Sequence, residues 1–203
     1  MLLNEQRILI IEEFLRDYAL KITGSEIARK KKLNQKSTAN ILQDMEEQGF
    51  LMSEIEGKNK HYFLQKGDKE MLLHFILAVE HLRTISFYKK NPLIKEIITK
   101  IKPECKGILV IFGSYAKGRQ NKESDLDLFL VGEYDAKAIK KVGERYGIEI
   151  NIKQYPLSFF KKSLGGEDHL IPEVIKDHII VNNAEEFVFL LMTGDIVGNY
   201  SQS

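Results

Sequence analysis

The stretch IFGSYAKGRQNKESDLDLFLV, residues 111–131, decides the fold of the second half of the chain. It begins as an apolar run typical of a buried strand, breaks at Gly113 and Ser114, becomes polar, and then enters a second apolar run. Asp125 and Asp127 stand at the start of that second run, separated by a single leucine. Because a strand that only fills a core has no use for two carboxylates, the pattern indicates a functional site.

Strand geometry explains how the two aspartates can coexist with a core. Side chains alternate between the faces of a strand, so Asp125 and Asp127 project to one side while Leu126 and Leu128 project to the other. Two carboxylates held side by side repel each other unless a cation lies between them. Oxygen ligands suit the hard cations Mg²⁺ and Mn²⁺. The pair therefore predicts a divalent metal site.

The break at Gly113 and Ser114 predicts a phosphate-binding turn. It follows a hydrophobic strand directly, where the backbone must turn closely and can present N–H groups and a hydroxyl. A helix N-terminus behind such a turn favours a bound anion. Together with the acidic pair, the turn predicts a binding site for a nucleoside triphosphate.

The glycine-serine turn followed by the acidic pair resembles the signature of the DNA polymerase β-type nucleotidyltransferase superfamily. The resemblance is closest to its small, single-lobe members, the minimal nucleotidyltransferases. The resemblance covers residues 107–131 and extends through a strand-helix-strand pattern to about residue 156. It implies transfer of a nucleoside monophosphate from an NTP to an acceptor, with pyrophosphate as the leaving group. The residues that carry it are Gly113, Ser114, Ala116, Gly118, Ser124, Asp125, Leu126, Asp127 and Leu128.

The resemblance also implies a third carboxylate on a neighbouring strand. The run YGIEINIKQYP, residues 146–156, contains one acid, Glu149, which is therefore the candidate for the third metal ligand. The family usually has aspartate in this role, and glutamate is one methylene longer. Glu149 could instead be an ordinary surface residue of an edge strand. The implied catalytic and metal-binding set is Asp125, Asp127 and Glu149.

The resemblance implies nucleotide contacts as well, with Mg²⁺ or Mn²⁺ as the cofactor and an NTP as a partner. Gly113 and Ser114 would hold the β- and γ-phosphates. Lys117, Arg119 and Lys122 lie in the loop between the two halves and could neutralise charge on the leaving group, although loops often carry such residues simply because they are solvated. The acceptor is not specified, since one fold serves many acceptors.

The first part of the chain predicts a winged helix-turn-helix domain over residues 1–67. Apolar residues recur at helical spacing over residues 8–19, and Ser25 is a suitable N-cap for a short helix that ends near residue 31. A further helix is predicted from Gln35 to Gln48, and residues 51–64 alternate around a polar turn as a β-hairpin does. Three helices followed by a hairpin is the element order of a winged helix.

In such domains the helix after the turn enters the major groove and the hairpin contacts the DNA backbone. The basic run RKKK, residues 29–32, marks one edge of the domain, as phosphate contact requires. The partner implied is double-stranded DNA; the alternative is a module that only packs or dimerises. The predicted DNA-binding residues are Gln35, Lys36, Ser37, Thr38 and Asn40 in the helix, and Lys58, Asn59, Lys60 and His61 in the wing.

The remaining pattern completes an α+β chain with a small mixed sheet. Residues 68–102 predict a helical connector, and residues 103–203 predict the nucleotidyltransferase-like domain. Within the latter, the pattern predicts strands near 107–112, 126–131 and 148–153 and helices near 136–146, 157–163, 171–177 and 184–192. The segment 165–181 is either a short lid or a strand and helix that close the domain.

Composition agrees with a cytoplasmic protein that has no membrane partner. The chain has 203 residues, 43% of them hydrophobic and 29% charged, and no apolar run long enough to span a bilayer. A single cysteine fits a reducing compartment. The function predicted is a metal-dependent nucleotidyltransferase coupled to DNA binding; the alternative is a DNA-binding regulator whose second domain binds nucleotide or a partner without catalysis. A homodimer formed through the long helix of the connector is plausible on either interpretation.

Overall fold

The computed structural model of the chain describes residues 4–67, 70–121, 123–166 and 168–194. Residues 4–67 form an N-terminal unit of three helices and a three-stranded antiparallel sheet, with the helices and hairpin in the predicted order. The unit consists of α1 (Glu5–Leu15), β1 (Ile22–Thr23), α2 (Gly24–Lys31), α3 (Gln35–Glu47), β2 (Leu51–Glu56) and β3 (Asn59–Leu64). The strand order is β1-β3-β2, so the central strand is the second strand of the hairpin.

Local capping fixes where the helices of this unit begin. Thr23, not the predicted Ser25, is the N-cap of α2. The Thr23 hydroxyl accepts a hydrogen bond from the Glu26 backbone N–H, and the Glu26 carboxylate accepts one from the Thr23 backbone N–H. This reciprocal capping box satisfies two N–H groups that a helix start leaves unpaired. Asn34 caps α3 in the simpler way, accepting a hydrogen bond from the Ser37 N–H at 3.1 Å.

Two helices follow, α4 (Glu70–Lys90) and α5 (Pro92–Ile101), as predicted for the connector. The first two predicted connector residues, 68 and 69, lie outside the described residues. Helix α4 does not only connect the two units. Its buried face belongs to a core shared with α1 and with the C-terminal part of the chain. Across the described ranges, no helix is both long enough and apolar enough to cross a membrane.

The rest of the described chain forms a C-terminal unit around a four-stranded sheet of order β6-β5-β4-β7. Strands β5 and β6 are parallel, whereas the other two pairs are antiparallel, so the sheet is mixed. In the segment 165–181, for which a lid was the alternative, the described residues from 168 onwards contain a helix followed by an edge strand. In chain order the elements are β4 (Cys105–Ile111), α6 (Gly113–Ala116), β5 (Leu126–Tyr134), α7 (Ala136–Tyr146), β6 (Ile150–Tyr155), α8 (Leu157–Ser163), α9 (Leu170–Lys176), β7 (Ile179–Asn182) and α10 (Ala184–Thr193).

Alternation along the central strands divides the core between the two faces of the sheet. Leu128 and Leu130 face a cluster that includes the apolar side of α5. Phe129 and Val131 face the larger cluster, which contains residues of the N-terminal unit, α4 and α10. All four are essentially inaccessible to solvent. Asp127 therefore lies on the same face as Phe129, at the start of the strand, where it is only partly buried.

A buried polar network joins α4 to both units. The carboxylate of Glu80, 1% exposed, accepts hydrogen bonds from the Tyr18 hydroxyl at 3.0 Å and from Arg83 Nη1 at 2.7 Å. His178, also buried, has Nε2 3.2 Å from a carboxylate oxygen of Glu80 and Nδ1 2.8 Å from the carbonyl oxygen of Ile175.

The charges in this network compensate one another. Burial alone raises the pKa of the Glu80 carboxyl, but the positive charges of Arg83 and His178 and the hydrogen bonds from His178 and Tyr18 outweigh that effect and leave its pKa lowered. Arg83 also donates to the carbonyls of Leu15 and His178. The network therefore holds the end of α1 and the start of β7 against α4.

We expect Glu80→Ala to lower the free energy of unfolding by about 3–5 kcal/mol, because it leaves the largely buried guanidinium of Arg83 without its counter-charge. Urea denaturation at neutral pH measures the change. Glu54→Gln, which removes an exposed partner of Lys21, is the control and should leave the stability essentially unchanged. A Glu80→Ala protein as stable as the control would show that the network does not hold the units together.

Candidate functional site

The turn at Gly113 follows β4 and lies against the start of the neighbouring strand, β5. Gly113 has φ 68°, a conformation that favours glycine, and it opens the short helix α6 directly after β4. A Cβ at this position would lie 2.3 Å from Oδ2 of Asp127. Any side chain would therefore displace the carboxylate. Position 113 requires glycine both for its backbone conformation and for the space that Asp127 occupies.

The acidic pair lies at the start of β5, although only Asp127 is in the strand and Asp125 precedes it. The Asp127 carbonyl accepts a hydrogen bond from the Phe112 N–H at 3.1 Å, which extends the β4–β5 pairing to the turn. Burial raises the pKa of the Asp127 carboxyl, and the negative charges of Asp125 and Glu173 raise it further; Lys153 and Asn151 act in the opposite direction but less strongly. The site therefore concentrates negative charge that the neighbouring cations only partly balance.

Asn151 lies opposite this pair on the neighbouring strand. The parallel register of β5 and β6 aligns Asp127 with Asn151, and the Asn151 side-chain amide donates to Asp125 Oδ2 at 3.3 Å. The side chain on the adjacent strand nearest the two carboxylates is thus an amide, with no charge of its own.

The strand that follows Glu149 begins later than predicted. The sequence pattern predicted a strand from residue 148, whereas β6 begins at Ile150. Glu149 is exposed and borders a cavity between β6 and α7, and its carbonyl accepts a hydrogen bond from the Leu126 N–H at 2.8 Å. Within the described ranges, no three His, Cys, Asp or Glu side chains are grouped closely enough to hold a metal ion. The structure brings Asp125 and Asp127 together, and Glu149 as a third ligand stays a prediction.

The residues predicted to contact nucleotide differ in their exposure and in their partners. Lys117 ends α6 and forms an ion pair with Glu173, with Nζ 2.6 Å from Oε1. Arg119 is exposed, and its backbone N–H donates to the Ser114 carbonyl at 3.0 Å, which closes the turn. Ser114 is half-buried in α6. Lys122 lies outside the described residues.

Two residues of the site were missed by the sequence argument. Lys153 follows Asn151 by two positions, so it lies on the same face of β6, and its charge lowers the pKa of Asp127. Glu173 comes from α9, far along the chain. The alternation of β6 could have indicated Lys153. Nothing in the local sequence around Glu173 links that residue to a turn some sixty positions earlier.

The predicted DNA-binding residues of the N-terminal unit differ in how exposed they are to solvent. Gln35, Lys36, Asn40, Lys58 and Asn59 are exposed, as the prediction requires.

Thr38 is wrong as a DNA contact, because it is fully buried and its hydroxyl donates to the Asn34 carbonyl. Ser37 donates to the Gln6 side chain of α1, His61 is only half-exposed, and Lys60 pairs with Glu46 at 2.7 Å.

Comparison with known proteins identifies the class to which this fold and site belong. A family model described as a nucleotidyltransferase domain matches residues 87–189, just over half of the chain. The chain belongs to this nucleotidyltransferase family. It is 31% identical over 83 residues to a Methanocaldococcus jannaschii protein named as a candidate protein adenylyltransferase, a match that covers 37% of this chain and 83% of the relative.

Two solved structures show weaker likeness. One, a toxin-antitoxin structure with AMP-PNP, is 15% identical, with a TM-score of 0.31 and coverage of 48% of this chain and 78% of the other. The second, the archaeal chromatin protein TrmBL2, is also 15% identical, with a TM-score of 0.29 and coverage of 85% of this chain and 69% of the other. At these TM-scores the likeness carries no argument about fold or function.

We expect Asp127→Asn to raise the melting temperature of the metal-free protein at pH 7. The raised pKa of Asp127 means that its contribution favours folding below the unfolded-state pKa, about 4, and is lost as pH rises through the folded-state pKa. Asparagine keeps the shape and removes the charge. The advantage of the variant should shrink as pH falls towards 4. Calorimetry across that range tests this, and a variant less stable than wild type at pH 7 would contradict it.

Proposed function

We propose that the C-terminal unit transfers a nucleoside monophosphate from an NTP to an acceptor hydroxyl, in a divalent-metal-dependent reaction. One observation carries the proposal: the carboxylate of Asp127, which is paired with Asp125, occupies the space that a side chain at Gly113 would fill, at the start of a helix. This arrangement places an acidic cation site next to backbone and hydroxyl groups suited to phosphate.

The residues present fit Mg²⁺ or Mn²⁺. Asp125 and Asp127 offer carboxylate oxygens, Asn151 can offer an amide oxygen, and these are the ligands that hard cations prefer. The raised pKa of Asp127, due to burial and to neighbouring negative charge, marks a place where a cation would be stabilised. When bound, the cation would lower the pKa of the acceptor hydroxyl and neutralise charge on the triphosphate.

The other residues bind and orient the nucleotide. The Ser114 hydroxyl and the backbone N–H groups of α6 would hold the β- and γ-phosphates. Lys117 and Arg119, with Lys122 from the same loop, would neutralise the charge that develops on pyrophosphate as the acceptor oxygen attacks the α-phosphorus in line. Asp125 and Asp127 would fix the position of the triphosphate through their shared cation.

The name of the Methanocaldococcus jannaschii relative favours ATP as the nucleotide and a protein as the acceptor. The match covers most of that relative, so its full-length activity is a reasonable guide for the C-terminal unit. We infer adenylyl transfer to a hydroxyl-bearing side chain of a protein as the most specific form of the proposal.

Transfer can be tested directly with each of the α-labelled NTPs in the presence of Mg²⁺ or Mn²⁺, with and without cell extract. We expect label from ATP to enter protein, and the Asp125→Ala/Asp127→Ala variant to fall to background because the cation loses its ligands. Glu144→Gln, an exposed change on α7, should match wild type. Equal labelling by wild type and the double variant in every mixture would refute the proposal.

A second candidate function is nucleotide sensing without turnover. The observation in its favour is Asn151, which places an uncharged amide where the neighbouring strand meets the two carboxylates. A site with two acids could bind a metal–nucleotide complex and still fail to activate an acceptor. The labelling experiment separates the two functions, since a sensor binds ATP but transfers no label.

For the N-terminal unit we propose a winged helix-turn-helix that binds double-stranded DNA. Its support is the element order, the capped helix α3, and the exposed polar and basic residues at the start of α3 and in the β2–β3 turn. Helix α3 would enter the major groove and the turn would contact the backbone. Part of the basic run is occupied elsewhere, since Lys30 and Lys31 both pair with Glu13.

We expect Lys36→Ala and Lys58→Ala each to weaken DNA binding and to reduce the slope of log affinity against log salt by about one unit, because each removes one phosphate contact. Fluorescence anisotropy with duplex DNA at several salt concentrations measures both quantities. Lys140→Ala, on exposed α7 in the C-terminal unit, is the matched control and should change neither. Unchanged slopes in both N-terminal variants would exclude this mode of binding.

A further inference from the structure

A second cavity lies at the end of the C-terminal sheet that is opposite to the acidic pair. It has a volume of about 770 Å³, within the range of pockets that bind small organic molecules, and it opens between α4, α5 and β7. Cys105, the first residue of β4, lines this cavity, whereas Gly113 lies just beyond the other end of the same strand. A strand of this length spans roughly 20 Å, so the cavity is separate from the proposed nucleotide site.

Two lysines from one wall point their charge towards this space. Lys95, Thr99 and Lys102 line the cavity from α5 and from the short 3₁₀ turn that follows it, and we call these three residues the lysine stripe. At 1.5 Å per helical residue the two lysines start roughly 10 Å apart, with Thr99 between them. Because lysine carries its charge on a flexible stem, both ammonium groups can reach one anion held above Thr99.

The charge of the lysine stripe is not balanced by any acid of the cavity wall. Among the described residues that line the cavity there is no Asp or Glu. In the part of the chain that the structure describes, Lys95 and Lys102 form no ion pair. Lys117, in contrast, pairs with Glu173. Two unpaired cations beside a concave surface attract a ligand of negative charge.

The other walls offer an apolar surface and one hydrogen-bond donor. Ile98, Val181 and Cys105 line the cavity and belong to the buried core of the sheet. Tyr88 lines it from α4, and its hydroxyl has no hydrogen-bond partner within the described ranges. Burial raises the pKa of Tyr88 to about 12, so the phenol keeps its proton and can donate it to an acceptor on a ligand.

Hydrogen bonds between the walls hold the cavity open. The Thr84 hydroxyl of α4 donates to the carbonyl of Ile180 in β7 at 2.9 Å. The side-chain amide of Asn182 in β7 donates to the carbonyl of Gly107 in β4 at 2.8 Å. The cavity is therefore preformed, and a ligand that enters it has little protein structure to order.

We propose that this cavity binds a small organic anion with an apolar body. The apolar body lies against Ile98, Val181 and Cys105, and the anionic group, a carboxylate or a phosphate, lies between Lys95 and Lys102. A neutral ligand would leave both lysines without a partner, and an inorganic anion would leave the apolar wall in contact with water. The site is additional to the proposed transfer of a nucleoside monophosphate and does not depend on it.

The probe for this site is 8-anilinonaphthalene-1-sulfonate, an organic anion whose fluorescence increases in apolar surroundings. We expect the full chain to bind it saturably, and Lys95→Gln/Lys102→Gln to weaken its binding by at least about tenfold, because two charged partners of the sulfonate are lost. N-phenyl-1-naphthylamine, which has the same rings without the sulfonate, should bind both proteins equally well. Equal affinity of the two proteins for the sulfonate would overturn the proposal.

A second double variant controls for the loss of net charge. Lys100→Gln/Lys106→Gln removes the same charge from α5 and β4 at exposed positions that do not line the cavity. It should bind the sulfonate as wild type does. If it loses as much affinity as Lys95→Gln/Lys102→Gln, the effect is one of overall charge and the proposed site is wrong. Equal melting temperatures for the three proteins exclude misfolding as the cause.

The thiol of Cys105 reports where the probe binds, because Cys105 is the one cysteine of the chain. Its alkylation by N-ethylmaleimide can be followed by mass spectrometry, and a ligand against this wall should slow the reaction. A saturating concentration of the sulfonate that leaves the alkylation rate unchanged would show that the probe binds elsewhere, which would overturn the proposal. The Asp125→Ala/Asp127→Ala protein should show the same protection as wild type, and its loss would place the probe at the nucleotide site instead.

Competition with three compounds that share one ring system identifies the anionic group. These are 1-naphthoate, 1-naphthyl phosphate and the neutral 1-naphthalenemethanol. Displacement of the sulfonate by one or both anions, and not by the alcohol, would support the proposal and show whether the site takes a carboxylate or a phosphate. Displacement by the alcohol as effective as that by the anions, or by none of the three, would overturn it.

Discussion

The carboxylate of Asp127 lies against the backbone of Gly113, and the arrangement of the site depends on that contact. The approach is possible only because residue 113 has no side chain and adopts φ 68°. It places the end of one strand, the start of a helix and the acidic pair next to one another. The carboxylates and the groups proposed to bind phosphate are therefore neighbours, as the proposed metal–triphosphate site requires.

The frame around this cleft is shared with the N-terminal unit. One hydrophobic core contains residues of α1, α4, β5 and α10, and Tyr18 of that core donates a hydrogen bond to Glu80, which also contacts Arg83 and His178. Moving one unit against the other would expose or unpair these groups, which costs several kcal/mol. The two units, proposed to bind DNA and nucleotide, therefore share one core, with α4 as the common element.

Much of the fold could be predicted because it depends on local pattern. Helix α7 occupies the predicted residues 136–146, and the apolar faces of α4 and α5 follow their helical spacing. The errors arose at positions whose structure is determined by contacts between residues far apart in the chain. Thr23 replaced Ser25 as a cap because Glu26 completes the capping box, and Thr38 is buried because α3 packs with that side inward. The strand expected at residue 148 begins at 150.

By itself the sequence determined the class of site: a glycine turn after a strand, and two aspartates whose intervening leucine faces a core. These features follow from backbone conformation and from the two-residue period of a strand, and both can be read from neighbouring residues. Only the tertiary structure decided which other groups act on the acidic pair. Asn151 is aligned with it by the parallel register of β5 and β6, and Glu173, on α9, adds its charge to burial in raising the pKa of Asp127. Register and helix packing bring together residues far apart in the chain, so no local pattern could have identified them.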